Sequence, residues 1–291
     1  MDILEAVLYG VVQGITEWLP ISSTAHLRIL PEILGKPDPG AAFTAVIQLG
    51  TLLAVLIYFR GELWKSLRGW ALSLVNPKLR GTQEAIMGWA IAVGTVPIVV
   101  FGVLFKDSIK GQLRSLYVVA TMLIVVGILL WIAEKFAKQT RSLETFTVRD
   151  GLIVGLCQAC ALIPGASRSG STMIGGLMLG FDRSTAAKAS FLLSVPSIFA
   201  AGVKEFWDAR HDILGEQLTP VLVATVVSFV VGYATIAWLI GYLQKRSVGV
   251  FVAYRVVLGI VLLVLLQTGK IEPMSGVSQE AANVSASTSR T

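Results

Sequence analysis

The sequence predicts an all-α integral membrane protein with about six transmembrane helices and two re-entrant helical hairpins, arranged as an inverted-topology repeat. The apolar composition, two polar interruptions and a repeated order of segments predict this fold. Of 291 residues, 54% are hydrophobic and 14% are charged, whereas a soluble domain carries roughly 25% charged residues. The net charge of +6 fits Lys- and Arg-rich cytoplasmic loops. The basic residues form no cluster suited to nucleic acid.

The first interrupted segment is residues 1–38. Its apolar start is followed by Gln13 and Glu17, then by Pro20 and the run Ser22-Ser23-Thr24. A spanning helix needs about 20 mainly apolar residues, which this segment lacks. It therefore predicts two short helices, broken at Pro20, that enter the membrane and return. Irregular backbone at that depth must be buried in protein or line a wet cavity.

Six apolar segments follow that are long enough to span a bilayer. They cover roughly residues 42–59, 86–105, 116–133, 186–203, 219–243 and 248–267. A second interrupted segment, residues 150–182, lies between the third and fourth of them and has Pro164 and a polar run at its middle. It predicts a second hairpin.

The order of hairpin, three spans, hairpin and three spans predicts an internal duplication. Residues 1–269 form a single polytopic membrane domain, with repeat one at about 1–135 and repeat two at about 148–269. Because three spans per half is an odd number, the second copy must be inverted, and inverted repeats place broken helices at the membrane midplane. Residues 270–291 are rich in Ser, Ala and Thr, which predicts a disordered polar tail.

Loop charge predicts the orientation. The loops at 60–85, 134–149 and 244–247 together hold eleven Lys and Arg residues, against five in the loops at 106–115 and 204–218. The positive-inside rule then places both termini outside the cell. Hairpin one opens outward and hairpin two opens toward the cytoplasm.

The first hairpin carries residues that could do chemistry. Gln13 and Glu17 are four apart and share one helix face. A carboxylate at membrane depth costs on the order of 2.5–3.5 kcal/mol and usually marks function, although Glu17 could instead be solvated near the interface. Ser22, Ser23 and Thr24 begin the second short helix, where free N–H groups attract anions.

A nucleophile beside candidate bases is the chemical hypothesis for this hairpin. Ser23 lies between Glu17 and His26 in the sequence, and an adjacent base activates a serine hydroxyl. Two structural alternatives stay open, because a Ser-Ser-Thr run is often only an N-cap and a lone histidine is more often structural.

The second hairpin repeats this logic with a fixed cation. In the run at residues 164–172 (Pro-Gly-Ala-Ser-Arg-Ser-Gly-Ser-Thr), Arg168 presents a planar fork that matches phosphate oxygens. Gly170 allows close approach of the backbone. The hydroxyl donors of this run are Ser167, Ser169 and Thr172. A structural ion pair between Arg168 and Glu17 is the alternative.

Other candidate groups carry weaker signals. A hard cation such as Mg²⁺ could bridge Glu17, beside Gln13, and a phosphate, since such sites need only one or two carboxylates. Arg255 is a further cation inside the last span and could serve the site or a structural pair. The CxxC formed by Cys157 and Cys160 is interpreted as packing, because there is no second Cys pair.

Two motifs carry a family resemblance. Residues 13–26 (Gln-Gly-Ile-Thr-Glu-Trp-Leu-Pro-Ile-Ser-Ser-Thr-Ala-His) and 164–172 resemble the undecaprenyl-diphosphate phosphatase family, also called the bacitracin-resistance BacA family. Val-Ile-Gln-Leu-Gly at 46–50 and Tyr-Arg at 254–255 match as well. The resemblance covers roughly residues 3–267.

The resemblance implies a multi-pass enzyme of the bacterial inner membrane. Such an enzyme removes the terminal phosphate of undecaprenyl diphosphate, a membrane lipid, and regenerates the lipid carrier for cell-wall synthesis, which confers bacitracin resistance. It also implies a divalent cation, Mg²⁺ or Ca²⁺. The loop charges, which make hairpin one open outward, predict an active site on the periplasmic side. A homodimer is compatible with the sequence.

The family's residues carry over by motif. Its acidic motif falls on Gln13 and Glu17, its serine and histidine on Ser23 and His26, and its arginine on Arg168. The resemblance makes these four the implied catalytic set: Glu17, Ser23, His26 and Arg168. The other polar or close-approach positions of the two motifs are the candidate substrate-binding residues: Gln13, Ser22, Thr24, Ser167, Ser169, Gly170 and Thr172. Many members have Glu where this chain has Gln13, and the amide weakens the argument for a two-carboxylate metal site.

Two mechanisms and two functions stay open at this point. Ser23 attacks phosphorus while Glu17 or His26 takes its proton, or His26 is itself the nucleophile. The alternative function is transport of a polyprenyl phosphate, because inverted repeats with broken midplane helices are transporter architecture. A carrier needs the cation but no nucleophile beside a base.

Overall fold

The computed structural model of the chain describes residues 1–36, 38–210 and 217–274. In this part of the chain the fold is helical, with only an isolated bridge between Arg141 and Phe181 in place of strands. The helices, in chain order, are α1 (Ile3–Trp18), α2 (Ser23–Leu34), α3 (Gly40–Tyr58), α4 (Arg60–Val75), α5 (Gln83–Leu104), α6 (Lys106–Lys110), α7 (Leu116–Phe136), α8 (Val148–Ala159), α9 (Arg168–Met178), α10 (Arg183–Asp208), α11 (Leu218–Leu243) and α12 (Gly249–Gln267). Residues 275–291 of the predicted tail lie outside the described residues.

The long apolar helices make this a multi-pass helical membrane protein. Five of them, α5, α7, α10, α11 and α12, are each long and apolar enough to cross a bilayer. The sixth, α3, reaches that length and hydropathy only together with α4, from which it is bent by 81°. The predicted spans therefore correspond to these helices to within a few residues at each end.

One sequence expectation is wrong. The sequence predicts a loop at residues 60–85, but most of this segment is α4, followed by a 3₁₀ turn at Pro77–Gly81. α4 packs along α5, and a Cβ at Gly69 would lie 2.7 Å from Ala85 N, so the two backbones approach closely. The helix mixes charged residues with exposed apolar ones such as Trp64 and Leu67. A search for continuous apolar runs misses such a helix.

Two pairs of short helices form the hairpins that position the site. In the first pair, α1 and α2 are separated by residues 19–22, and an ion pair between Lys36 and Glu5 joins the end of α2 to the start of α1. In the second pair, α8 and α9, Arg141 bonds the Asp150 carboxylate near the start of α8 and the Leu179 carbonyl at the end of α9. Each pair is thus tied at its open end, away from the break.

The breaks of the two hairpins meet inside the helical bundle. α1 packs along α11 and α8 packs along α5, while α3 contacts α10 and α12 contacts α7. The Ser169 hydroxyl, at the start of α9, donates to the Leu19 carbonyl at the end of α1 over 3.0 Å. The functional side chains lie around this junction.

Candidate active site

The two breaks have the same local geometry. Ser22 and Ser167 precede α2 and α9 with φ of 75° and 72°, a region that residues other than glycine rarely adopt. Their hydroxyls cap the helices by accepting from Ala25 N (3.4 Å) and Gly170 N (3.1 Å). The remaining N–H groups of each first turn have no intrahelical acceptor. Two helix starts with free donors and positive dipole ends therefore lie at the junction.

The Glu17 carboxylate is the centre of the polar cluster. Its Oε2 accepts from Gln13 Nε2 (3.0 Å) and Ser23 Oγ (2.7 Å). Its Oε1 accepts from Gln48 Nε2 (2.7 Å) and Arg168 Nη2 (3.2 Å). The residue is 6% exposed, so it is buried rather than solvated at an interface. Four helices, α1, α2, α3 and α9, each contribute to this one carboxylate.

Ser23 and Glu17 have the geometry of a nucleophile and its base. A serine hydroxyl 2.7 Å from a carboxylate oxygen donates to it, because an ionised carboxylate can only accept. Proton transfer between them needs no rearrangement, since the distance lies within the hydrogen-bond range required of a general base. Ser23 is also partly accessible.

A cavity of about 330 Å³ reaches this cluster. Gln13, Ser23, Thr24 and Gln48 contribute to its lining, while Glu17 lies behind them. The volume falls in the usual range for small-molecule sites, roughly 300–1,000 Å³. Segments outside the hairpins also line it, among them the end of α10 and the stretch between α5 and α7.

His26 is held away from Ser23 by two other partners. Its Nδ1 lies 2.8 Å from the Ser22 carbonyl and its Nε2 lies 2.6 Å from the Tyr254 hydroxyl. A carbonyl can only accept, so Nδ1 carries the proton and Nε2 accepts from Tyr254. The two rings also stack, with centroids 5.6 Å apart and planes 7° from parallel. The predicted contact of His26 with Ser23 is therefore not formed in this arrangement.

Arg168 forms the ion pair with Glu17 that was the structural alternative, yet a fifth of its side chain stays accessible. The guanidinium has five N–H donors, and the bond to Glu17 uses one of its terminal nitrogens. Arg168 is thus a partner of the carboxylate that keeps part of its side chain accessible, although it is not among the residues that line the cavity.

Of the other predicted substrate-binding residues, Thr24 reaches the cavity, whereas Ser169 and Thr172 are not among the residues that line it. Thr24 lines the cavity, and its hydroxyl lies 3.1 Å from Ser22 Oγ. Ser169 joins the two hairpins through Leu19. Thr172 is fully buried one turn into α9, 2.6 Å from Ser190 Oγ, and is not among the residues that line the cavity.

Sequence reasoning assigned no role to two residues of the site, Gln48 and Tyr254, and did not decide between two roles for Arg255. Gln48 donates to Glu17, and its signals in the sequence are an amide within an otherwise apolar span and the family match of residues 46–50. Tyr254 holds His26, and the neighbouring Arg255 is fully buried. In the part of the chain that the structure describes, Arg255 hydrogen-bonds backbone carbonyls, which no side-chain pattern could reveal.

The donor set does not fit a protein-bound divalent cation. Glu17 is the one carboxylate of the cluster, and each of its oxygens already accepts from two donors. Among the described residues, no three His, Cys, Asp or Glu side chains come together in a metal-binding group. A cation at Glu17 would have to displace the Arg168 guanidinium, so we assign no chemical step to a metal. The expected need for Mg²⁺ or Ca²⁺ stays a prediction.

Comparison with known proteins gives a consistent result. The family model described as bacitracin resistance protein BacA matches residues 6–261. A protein of Nocardioides sp. named undecaprenyl-diphosphatase is 50% identical over 274 residues, which cover 93% of this chain and 99% of that protein. Proteins with the same name from Chlorobaculum tepidum (49% over 283 residues, 94% and 100% coverage) and Myxococcus xanthus (50% over 277 residues, 95% and 93% coverage) are similarly related.

Proposed function

This chain belongs to the bacitracin resistance protein BacA family, and we propose on that premise that it is an undecaprenyl-diphosphate phosphatase. It hydrolyses the terminal phosphate of the isoprenoid diphosphate and gives undecaprenyl phosphate and inorganic phosphate. The recycled lipid carrier returns to cell-wall synthesis, and its regeneration confers bacitracin resistance. Relatives that are 50% identical to this chain over nearly their whole length are named undecaprenyl-diphosphatase.

The hydrogen bond from Ser23 to Glu17 carries this proposal. In the first step Glu17 takes the hydroxyl proton while Ser23 Oγ forms a bond to the terminal phosphorus. The bond from that phosphorus to the bridging oxygen breaks, and the lipid monophosphate leaves with the electron pair. Splitting a difficult hydrolysis into two displacements is the usual advantage of covalent catalysis.

The second step regenerates the serine. Glu17, having released its proton to water in the cavity, takes a proton from an attacking water molecule. The water oxygen bonds to phosphorus, the bond to Ser23 Oγ breaks, and Glu17 passes the proton that it took from water to that serine oxygen. Inorganic phosphate then leaves through the cavity.

Electrostatic stabilisation comes from Arg168 and the two helix starts. Phosphoryl transfer depends mainly on positioning and on neutralising the charge of the phosphate oxygens. The N–H groups that open α2 and α9 and the accessible part of Arg168 supply donors from both hairpins. The isoprenoid tail stays in the lipid.

The competing mechanism makes His26 the nucleophile. Its Nε2 accepts from Tyr254 at 2.6 Å, whereas Ser23 already donates to a carboxylate. This arrangement favours Ser23 as the nucleophile and leaves His26 to position α2 through the Ser22 carbonyl. The same Ser23–Glu17 pair favours hydrolysis over transport, because a carrier has no need of an activated hydroxyl.

We further propose that the fold is an inverted repeat with two re-entrant hairpins. The pairing of α1 with α11 is matched by that of α8 with α5. Ser22 and Ser167 share an unusual φ and a capping role. Repeat one at about 1–135 and repeat two at about 148–269 then form a single membrane domain.

The membrane orientation follows from the loop charges. The cavity is lined partly by the segments around Ile109, Arg114 and Glu205, which belong to the side that is poorer in Lys and Arg. By the positive-inside rule this side faces outward, so the site opens to the periplasmic side of the bacterial inner membrane. A homodimer stays a prediction.

Phosphate release from farnesyl diphosphate by the purified protein tests the function. The assay is run with Mg²⁺, with Ca²⁺ and with chelator, which also tests the metal. We expect turnover by wild type and a phosphoenzyme whose label maps to Ser23. Well-folded wild type that releases no phosphate under any of these conditions would refute the proposal, and a label on His26 would refute the mechanism.

A further inference from the structure

We propose that Arg255 is a positioning residue that fixes the spacing of the two anion-binding helix starts and thereby makes the site select a diphosphate over a single phosphate. The inference rests on the proposed function, since it assigns the two helix starts to the two phosphates of one substrate. It concerns a residue of α12, outside both hairpins.

Arg255 contacts the backbone of both breaks. Its Nη1 donates to the Pro20 carbonyl over 3.0 Å, two residues before the N-cap of α2. Its Nη2 lies 3.0 Å from the carbonyls of Gly165 and Ala166, directly before the N-cap of α9. A single planar group therefore holds the chain just ahead of each helix start.

The rest of the guanidinium is held by a third element. Arg255 Nε lies 3.2 Å from the Leu123 carbonyl and Nη2 lies 3.1 Å from the Met122 carbonyl, both in α7. The residue is 0% exposed, and its recorded hydrogen bonds include none to a carboxylate. The charge is instead solvated by carbonyl dipoles, which fixes the group relative to α7 as well as to both breaks.

The need for such a group follows from the broken helices. Carbonyls at a break have no intrahelical partner, and in a membrane interior each unsatisfied one costs free energy. They would also present negative dipole ends beside a site for anions. The guanidinium satisfies these carbonyls and places a positive charge beside the two helix starts.

A lysine cannot reproduce this clamp. An ammonium is a compact charge with three donors, whereas the planar fork reaches several acceptors in fixed directions. Arg255→Lys keeps the charge but cannot hold Pro20, Gly165 and Ala166 together. Among the described residues, the two helix starts would then be joined only by the Ser169–Leu19 and Arg168–Glu17 contacts, so their spacing would be less tightly held. Each start would keep its own N–H groups.

The test measures binding rather than turnover. In a Ser23→Ala background, which prevents phosphoryl transfer to the serine, the affinities for inorganic pyrophosphate and inorganic phosphate are measured by calorimetry. We expect the parent to prefer pyrophosphate. Arg255→Lys should weaken pyrophosphate binding about tenfold and phosphate binding less than about threefold, because only the former needs both starts at one spacing.

Arg141→Lys is the matched control. Arg141 also bonds a backbone carbonyl of a hairpin, at Leu179, but at its open end. This variant should leave the preference for pyrophosphate unchanged. Equal weakening of both anions by Arg255→Lys, no weakening of either, or a parent without preference for pyrophosphate would overturn the proposal.

A second variant covers the case in which Arg255→Lys does not fold. A Cβ at Gly170 would lie 3.3 Å from Arg255 Nη1 and 3.2 Å from Ser167 Oγ, so Gly170→Ala crowds the guanidinium against the cap of α9 and requires a shift of a few tenths of an ångström without removing either group. The same selective loss of pyrophosphate binding is expected, and unchanged selectivity would contradict the clamp. Failure of the proposed function is separate, because it would appear as absent hydrolysis by wild type whatever the binding preference.

Discussion

Replacing Glu17 by glutamine separates its role as a base from its role in packing. The substitution keeps the shape of the side chain and replaces one carboxylate oxygen by an NH₂ group. The Oε1 side faces the nitrogens of Gln48 and Arg168, which only donate. The Oε2 side faces Gln13 and the Ser23 hydroxyl, and a hydroxyl can reverse its hydrogen bond. We therefore expect the new NH₂ to face Ser23.

This arrangement predicts a large loss of rate with a modest loss of stability. Ser23 would accept a hydrogen bond from the amide and would have no acceptor for its proton, and a missing general base costs roughly 10²–10⁴-fold in kcat. Weakened hydrogen bonds to a formerly charged group cost about 1–3 kcal/mol of folding free energy. Well-folded Glu17→Gln protein should therefore be nearly inactive.

The assay is phosphate release from farnesyl diphosphate at saturating substrate, with thermal unfolding measured on the same samples. Glu134→Gln is the matched control, because Glu134 is a largely buried carboxylate that pairs with Arg183 away from the site. It should lose stability and keep kcat within about threefold, since no catalytic contact changes. A Glu17→Gln protein with kcat within tenfold of wild type would refute the assignment of Glu17 as the base.

Further changes probe the supports of the site. Tyr254→Phe removes the donor to His26 but keeps the stacked ring. Loss of a hydrogen bond worth about 1 kcal/mol in positioning His26 should lower kcat about fivefold. An unchanged kcat and pH–rate profile would argue against a positioning role for Tyr254. Ser169→Ala removes the bond between the hairpins and should lower the free energy of unfolding by about 1 kcal/mol, read as the midpoint of thermal unfolding. Burial raises the pKa of Asp150, but hydrogen bonds from Arg141 and Thr147 outweigh this effect and lower the pKa below its ordinary value of 3.8. The ionised carboxylate therefore stabilises the folded state. This contribution is full above the ordinary pKa and is lost as the pH falls through the folded-state pKa. Asp150→Asn should reduce the fall in the midpoint of thermal unfolding at acid pH. An unchanged fall would contradict the assignment of this pH dependence to Asp150.

The membrane helices and the breaks could be predicted because they depend on local sequence. Long apolar runs identify spans, and Pro20 followed by a serine run identifies a break. A search for apolar runs does not find α4 because its charged and apolar residues are interspersed and its buried positions include Ser66 and Ser73. Its packing on α5 depends on small residues such as Gly69 and Gly88, whose contacts are tertiary.

The candidate site could be predicted only in part, for a similar reason. Glu17 and Ser23 are six residues apart, a separation that brings them together only because the chain reverses between α1 and α2. Gln48 reaches the carboxylate from another helix, 31 residues away in the chain. The partners of Arg255 are backbone carbonyls, which every residue has, so no pattern of side chains marks them.

The position of Arg255 in the chain has a consequence for biosynthesis. The bond from Arg255 to the Pro20 carbonyl joins residues separated by 235 positions, and membrane proteins are made from the N-terminus onward. Every residue around Glu17 is synthesised well before the last helix, α12, so the junction of the two hairpins stays without its guanidinium until that helix inserts. A chain truncated before α12 would contain Glu17, Ser23, Gln48 and Arg168 but lack the guanidinium that bonds the backbone of both breaks. The set of contacts between the two breaks is thus completed only when the last helix has been made.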